Sequence, residues 1–221
     1  MKNLFSSLFV FVFTFSFAQN SQNLGDFNFV EVFDKIPVKL VKSDQNSAEI
    51  SGAKAADVEL VSKNNKLKIR MNKENLLKGE EVSVILHYKD LNEIHANEGA
   101  QISSDHSIST ENLILNSKEG ASINLNVAVN QLDIKTNSGG EIRISGTADN
   151  QDIVVNSGGK YFGKEVKSQN TKVTANAGGV AEVNVSESVN ATTRAGGMIE
   201  IYGDPADRKV KNIIGGKINF N

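Results

Sequence analysis

The chain has 221 residues, 24 Lys and Arg against 26 Asp and Glu, no cysteine and no tryptophan. A net charge near −2 gives no electrostatic reason to invoke nucleic acid or an anionic membrane. The absence of cysteine excludes a disulfide framework, a thiolate metal site, a cysteine nucleophile and a lipid-modified cysteine at the start of the mature chain.

Met1 to Ala18 reads as a secretory signal peptide, with Lys2 ahead of an apolar run from Leu4 to Phe17 and small residues at Ser16 and Ala18. The run is too short to cross a bilayer comfortably and no second apolar segment follows, so no membrane span is expected. Removal of residues 1–18 takes away six of the eleven phenylalanines and leaves 23 basic against 26 acidic residues, a net charge of about −3. The remaining 203 or so residues are enough for one domain. We divide them into a short linker, residues 19–26, and a single domain, residues 27–221.

From Phe27 to about Ile94 the pattern is strand-like but irregular. Strands are expected at Phe27–Val32, Val38–Val41, Ala48–Ile50, Val58–Val61, Leu67–Met71 and Val82–Tyr88, with a turn or short helical piece over Asn72–Gly79. This part reads as the cap of the repeats that follow, since a repeat stack needs an atypical end to cover its first rung. Pro37 falls at a strand entry and Pro205 in the Gly203-Asp204-Pro205 loop, both places that tolerate a missing N–H.

The repeats announce themselves as pairs of small residues: Gly99-Ala100, Gly120-Ala121, Gly139-Gly140, Gly158-Gly159, Gly178-Gly179, Gly196-Gly197 and Gly215-Gly216, at intervals of 21, 19, 19, 20, 18 and 19 residues. A period near 20 without helical spacing is the mark of a solenoid. Five residues before the first glycine stand Ile94, Leu115, Ile134, Ile153, Val173, Ala191 and Val210; three after it stand Ile102, Ile123, Ile142, Tyr161, Ala181, Ile199 and Ile218. Five after it the column is apolar except at the first and fourth turns, Ser104 and Gly163. Alternation of period two on both sides of the pair predicts two strands per turn with a corner between them. Glycine serves such a corner because it takes positive φ freely, and Asn97, Asn137, Asn156 and Asn176, two residues earlier, could bond rung to rung. No helical pattern follows any pair, so these are not phosphate-gripping loops. The expected fold is all-β, a parallel β-helix of about 19–20 residues per turn with an irregular β cap. Its last rung, ending at Lys217–Asn221, presents an open edge that suits pairing with a second copy.

The stretch Leu91-Asn92-Glu93-Ile94-His95-Ala96-Asn97-Glu98-Gly99-Ala100 and the Gly-x-Ile-Asn fragments at Gly120 to Asn124 and Gly215 to Asn219 resemble the auto-transporter adhesin, head GIN domain family. The resemblance runs from about Phe27 to the C-terminus and implies a β-helical fold and a cell-envelope or extracellular location. It implies no catalytic residues.

Candidate sites are few. Asp133 and Asp152 share a column on adjacent turns and would lie about 5 Å apart, a spacing that suits a cation or an acid–base pair. The next turn offers Lys172 rather than a third carboxylate, which is the pattern of a solvated face. His87, His95 and His106 make no metal spacing, and no serine sits in a nucleophile elbow. Phe162, in an outward column, could stack on a sugar with help from Tyr202, although a bulge at Gly163 is expected to turn Phe162 inward. No catalytic residue, cofactor or metal is assigned. The function expected is that of an exported, non-catalytic binding or structural module, adhesin-like, with a glycan or an envelope protein as partner, in the periplasm, on the outer surface or outside the cell. The alternatives are a polysaccharide-processing enzyme using carboxylates on one face and a periplasmic partner in envelope sensing.

Overall fold

The structure, a computed structural model, describes residues 21–221; the expected signal peptide, residues 1–18, lies outside them. The described chain folds into strands and turns, with two short 3₁₀ turns at Ala55–Asp57 and Gly79–Glu81 and no α-helix among the described residues. The strands are β1 (Ser21–Asn23), β2 (Phe29–Val32), β3 (Pro37–Lys42), β4 (Ser47–Gly52), β5 (Val58–Lys63), β6 (Lys66–Met71), β7 (Val82–Tyr88), β8 (Glu93–Ala96) and β9 (Gln101–Ser104). The repeats follow as β10 (Ile108–Lys118), β11 (Ser122–Asn137), β12 (Glu141–Val155), β13 (Lys160–Asn176), β14 (Val180–Arg194), β15 (Met198–Tyr202), β16 (Asp207–Ile213) and β17 (Lys217–Phe220). All pairings from β8 and β9 onward are parallel and, outside a bulge in β13, place residues on their equivalents one repeat later, as in Ile123 on Ile142 and Ile134 on Ile153. The parallel β-solenoid expected from the spacing is the fold.

The expected strands of the cap are all present, but their order in space is not their order in the chain. β2 lies parallel between β6 and β8, and β3 parallel between β7 and β9. The chain therefore lays down one rung, builds the next rung beneath it, and then crosses over it to begin the regular stack. β5 and β4 flank β6 and β7 antiparallel, and β1 pairs antiparallel with β4. These reversed strands finish the end of the stack where a parallel edge would otherwise stand open.

Within a regular rung the burial pattern of β11 places Ile123, Leu125, Val127 and Val129 inward, then Leu132, Ile134 and Thr136. Two successive non-inward residues, Asn130 and Gln131, mark a second corner that strand assignment runs straight through. Fully burying each aliphatic side chain stabilises the stack by about 1.5–3 kcal/mol. Ile123, Ile142, Tyr161, Ala181 and Ile199 are all at most 1 % exposed, as the column reading requires. In the last rung the columns come into the open, and Val210, Ile214 and Phe220 are exposed.

The small-residue pairs divide two tasks that the sequence assigned to one. In Asn137-Ser138-Gly139-Gly140 the central residues Ser138 and Gly139 both have positive φ, 49° and 74°, and the Gly140 N–H donates to the Asn137 carbonyl at 2.9 Å. This is the left-handed tight turn, which needs positive φ at both central positions. The second glycine is present for space: a Cβ on Gly140 would stand 2.2 Å from the Ser117 carbonyl oxygen of the rung below. The ladder continues around the corner, because the Gly139 N–H donates to the Ser157 carbonyl of the next turn and Gly158 to that of Ala177. The asparagine ladder forms between Asn176 and Asn156, amide to carbonyl at 2.8 Å, whereas Asn97 turns to the Val32 carbonyl.

One rung departs from aliphatic filling. Tyr161 is fully buried in a column of isoleucines, and Gly163 makes room for it: a Cβ there would be 2.4 Å from the phenol. Burial pushes the phenol far above its usual pKa, so it stays a donor. Its hydroxyl donates to Gln151 Oε1 at 2.6 Å, Gln151 Nε2 reaches Thr171 Oγ1 at 3.4 Å, and Thr171 lies 2.9 Å from Ser168 Oγ. In the register Gln151 stands between Leu132 and Thr171, so an aliphatic column turns polar just where the phenol needs an acceptor.

The glycine corner and the Tyr161 network are both tested by urea unfolding. Gly140→Ala is expected to cost about 2–3 kcal/mol because the backbone of the rung below must move. Gly139→Ala, with open space but positive φ, is expected to cost about 1–2 kcal/mol. Tyr161→Phe is expected to cost about 1–3 kcal/mol by leaving Gln151 unpaired, while Tyr161→Phe/Gln151→Leu returns to within about 1 kcal/mol of the parent. An additive double variant would remove the network from this account.

Candidate functional site

Stacking at one residue per rung turns every outward position into a row. On the sheet that follows each tight turn, one row reads Ser103, Asn124, Arg143, Phe162, Glu182, Glu200 and Asn219. Rows in a parallel stack repeat at about 4.8 Å, so neighbouring side chains are in reach of each other. The Arg143 guanidinium lies 4.3 Å from the Phe162 ring centroid and also donates to Glu141 at 3.0 Å. Beyond it the Lys164 ammonium lies 4.4 Å from the ring of Tyr202. Each such contact is worth about 0.5–1 kcal/mol on an exposed surface and holds the ring upright.

Phe162 itself corrects an expectation. The bulge at Gly163 exists, as a register slip between Gly163 and Lys167 against β14, but it falls after Phe162 and does not invert it. Tyr161 takes the inward place and Phe162 stays outward and half-buried. Beside Phe162 lies a shallow depression of about 300 Å³, lined by Asn124, Arg143, Phe162, Lys164, Glu165 and Glu182. An aromatic ring, a guanidinium, an amide and two carboxylates converge on it. That set can stack on the apolar face of a ring and exchange hydrogen bonds with hydroxyls around it.

Asp133 and Asp152 are brought together in register, as the column reading requires. Their surroundings are those of an ion-pair row. Lys172, on the next rung, donates to Asp152 at 2.8 Å, and Gln131 donates to Asp133 at 2.6 Å. The Asp152 carboxylate beside it holds the Lys172 ammonium above its usual pKa. A shallow corner groove of about 340 Å³ runs beside this row, with Asn150, Asn170 and Ser188 bonded to one another along it.

The three histidines are separate in space as in sequence. His87 lies 3.1 Å from Glu49, and His106 sits by Ser104 in a turn. His95 is packed edge-on to Phe29 at 4.6 Å, with Glu93 at 2.9 Å. Burial lowers its pKa, against the pull of Glu93 and Glu31. No cluster of three or more His, Asp or Glu that could hold a metal occurs among the described residues. Sequence reasoning passed over Arg143, Lys164 and Glu182; the signal that could have found them was the row itself, which places a cation beside an aromatic at rung spacing.

The comparisons with known proteins agree with this geometry in fold. A protein described as a putative adhesin from Bacteroides fragilis superposes with a TM-score of 0.83 at 18 % identity, over 94 % of this chain and 98 % of that one. A putative adhesin from Parabacteroides distasonis gives 0.76 at 18 % identity over 92 % and 96 %, and a putative lipid binding protein from the same species gives 0.66 at 14 % over 92 % and 96 %. No curated protein matches the sequence. A family model matches residues 26–205, most of the chain, and the protein belongs to the family described as "Putative auto-transporter adhesin, head GIN domain".

Proposed function

We propose that the protein is an exported, non-catalytic binding module of the cell envelope and that it holds a glycan on the face carrying Phe162. The reading is supported above all by the outward Phe162, braced by Arg143 at 4.3 Å above a depression rich in hydrogen-bonding groups. A row repeating at about 4.8 Å suits a polymer, which can meet several rungs at once and gain by multivalency what each contact lacks. The adhesin description of the family supports an envelope location and a binding role. Asp152 has its charge engaged by Lys172 and Asp133 accepts from Gln131, surroundings that favour binding over hydrolysis.

The test is a glycan array with the purified protein and two variants. Phe162→Ala is expected to lower specific binding about tenfold or more, the usual scale for losing an aromatic anchor. Asp133→Asn/Asp152→Asn is expected to bind as the parent does. Loss of binding in the aspartate variant, or shortened glycans after incubation, would favour the polysaccharide-processing enzyme instead. No binding to any glycan would sink the carbohydrate reading and leave a protein partner.

A further inference from the structure

The cap end of the solenoid concentrates what the whole-chain charge conceals. The hairpin from Val58 to Met71 carries Lys63, Lys66, Lys68 and Arg70 against the single carboxylate Glu59, in a chain of net charge −2. Lys66, Lys68 and Arg70 must face outward because Leu67, Ile69 and Met71 between them are buried. With Phe29 and Val61 they line an open groove of about 550 Å³, where the Lys66 ammonium lies 4.4 Å from the Phe29 ring. Glu31 engages Lys66 and Lys68, and Glu59 engages Arg70, leaving the cations in excess.

β6 leads from this groove into the loop Asn72–Lys78, which presents Leu76 and Leu77, 55 % and 48 % exposed, between the exposed Lys73 and Glu74 on one side and Lys78 on the other, two cations to one carboxylate. Leu77 is held at φ 59°, a conformation that a leucine rarely adopts. It is fixed there by Asp34, 2 % exposed, whose carboxylate accepts the Leu77 N–H and the Met71 N–H, each at 3.0 Å. Asn72 Oδ1 accepts the N–H groups of Glu74 and Asn75 at 3.1 Å, which braces the start of the loop. Hydrogen bonds to the buried Asp34 thus hold Leu77 in water at a backbone cost, with Leu76 exposed beside it. The neighbouring carboxylates Glu80 and Glu81 are engaged by Lys35 and Lys54.

We infer that the cap end docks on the anionic headgroup surface of a lipid bilayer, with Leu76 and Leu77 entering the interface and the cations of β5, β6 and the loop settling on the headgroups. Exposed apolar side chains flanked by lysines are what such a surface binds: the apolar part needs the acyl boundary, and the cations need the anionic lipid. A soluble polyanion would use the lysines and leave the leucines without a role. The site lies in the cap, apart from Phe162, and does not rest on the glycan reading.

The experiment is co-sedimentation of the protein with vesicles of phosphatidylcholine alone or with three parts in ten phosphatidylglycerol. Binding is expected only to the anionic vesicles and is expected to weaken as salt is raised. Lys63→Gln and Lys73→Gln should each lower the partition coefficient about fivefold. Leu76→Ser/Leu77→Asn should lower it about tenfold or more without lowering the melting temperature, because Asn tolerates positive φ. Because the chain has no tryptophan, Leu76→Trp supplies a single reporter whose emission should shift to the blue on anionic vesicles. Absence of pelleting at low salt, equal binding to phosphatidylcholine, an unshifted Leu76→Trp spectrum, or full binding by the leucine variant would each overturn the inference. Glycan-array binding should be unchanged in all four variants, so failure here and failure of the glycan reading are separate results.

Discussion

Everything in this molecule depends on the parallel backbone ladder continuing around the tight corner as well as along the strands. A solenoid whose hydrogen bonds lapsed at each turn would expose a stripe of unpaired N–H and C=O groups beside its core, at a cost of about 1–3 kcal/mol for each buried group. Here the first glycine of every pair but the last donates to the left-handed residue of the next rung, so the stripe is closed. That single requirement fixes the sign of φ at two residues and leaves the third, pressed against the rung below, room for glycine in five pairs and for no more than alanine in Gly99-Ala100 and Gly120-Ala121, and so imposes the small-residue spacing that makes the repeat visible at all.

The same requirement explains what could be read from sequence and what could not. The C-terminal rungs were legible because a corner that demands glycine and a core that demands aliphatic side chains leave marks in register, as at Gly139-Gly140 and the Ile134 and Ile142 columns. The rung formed by β2 and β3 left no such mark. Its corner, Phe33-Asp34-Lys35-Ile36, has the same left-handed pair, φ 59° and 61°, closed by the Ile36 N–H on the Phe33 carbonyl, yet contains no glycine. Contacts from Gly79 and Glu98, far away in the chain, hold it instead. Its place between later strands is a tertiary fact that no local pattern encodes.

Side-chain sites were legible in register and opaque in partnership. The column reading aligned Asp133 with Asp152 and put Phe162 among outward residues, but the direction of Phe162 turned on where the register slip fell, before it or after it. The slip falls after it because Tyr161 needs both an acceptor at Gln151 and the space left by Gly163, a condition set by two other rungs. The basic hairpin was hidden for another reason: a net charge near zero says nothing of how charges are sorted between the two ends of an elongated body.

The displaced rung has a bearing on how the chain is made. β2 and β3 find their parallel neighbours only in strands that follow them, β6 and β7 on one side and β8 and β9 on the other. A polypeptide delivered amino end first therefore presents its opening segment with no template to settle on until residue 66 has emerged, and cannot enclose it until residue 104 has. For that interval Val30, Val32, Val38 and Leu40, all buried at the end, wait in water. Assembly by winding each new coil onto a finished one, the simplest route for a repetitive stack, is closed to the chain up to residue 104, which must instead close as one cooperative event of long loop closure.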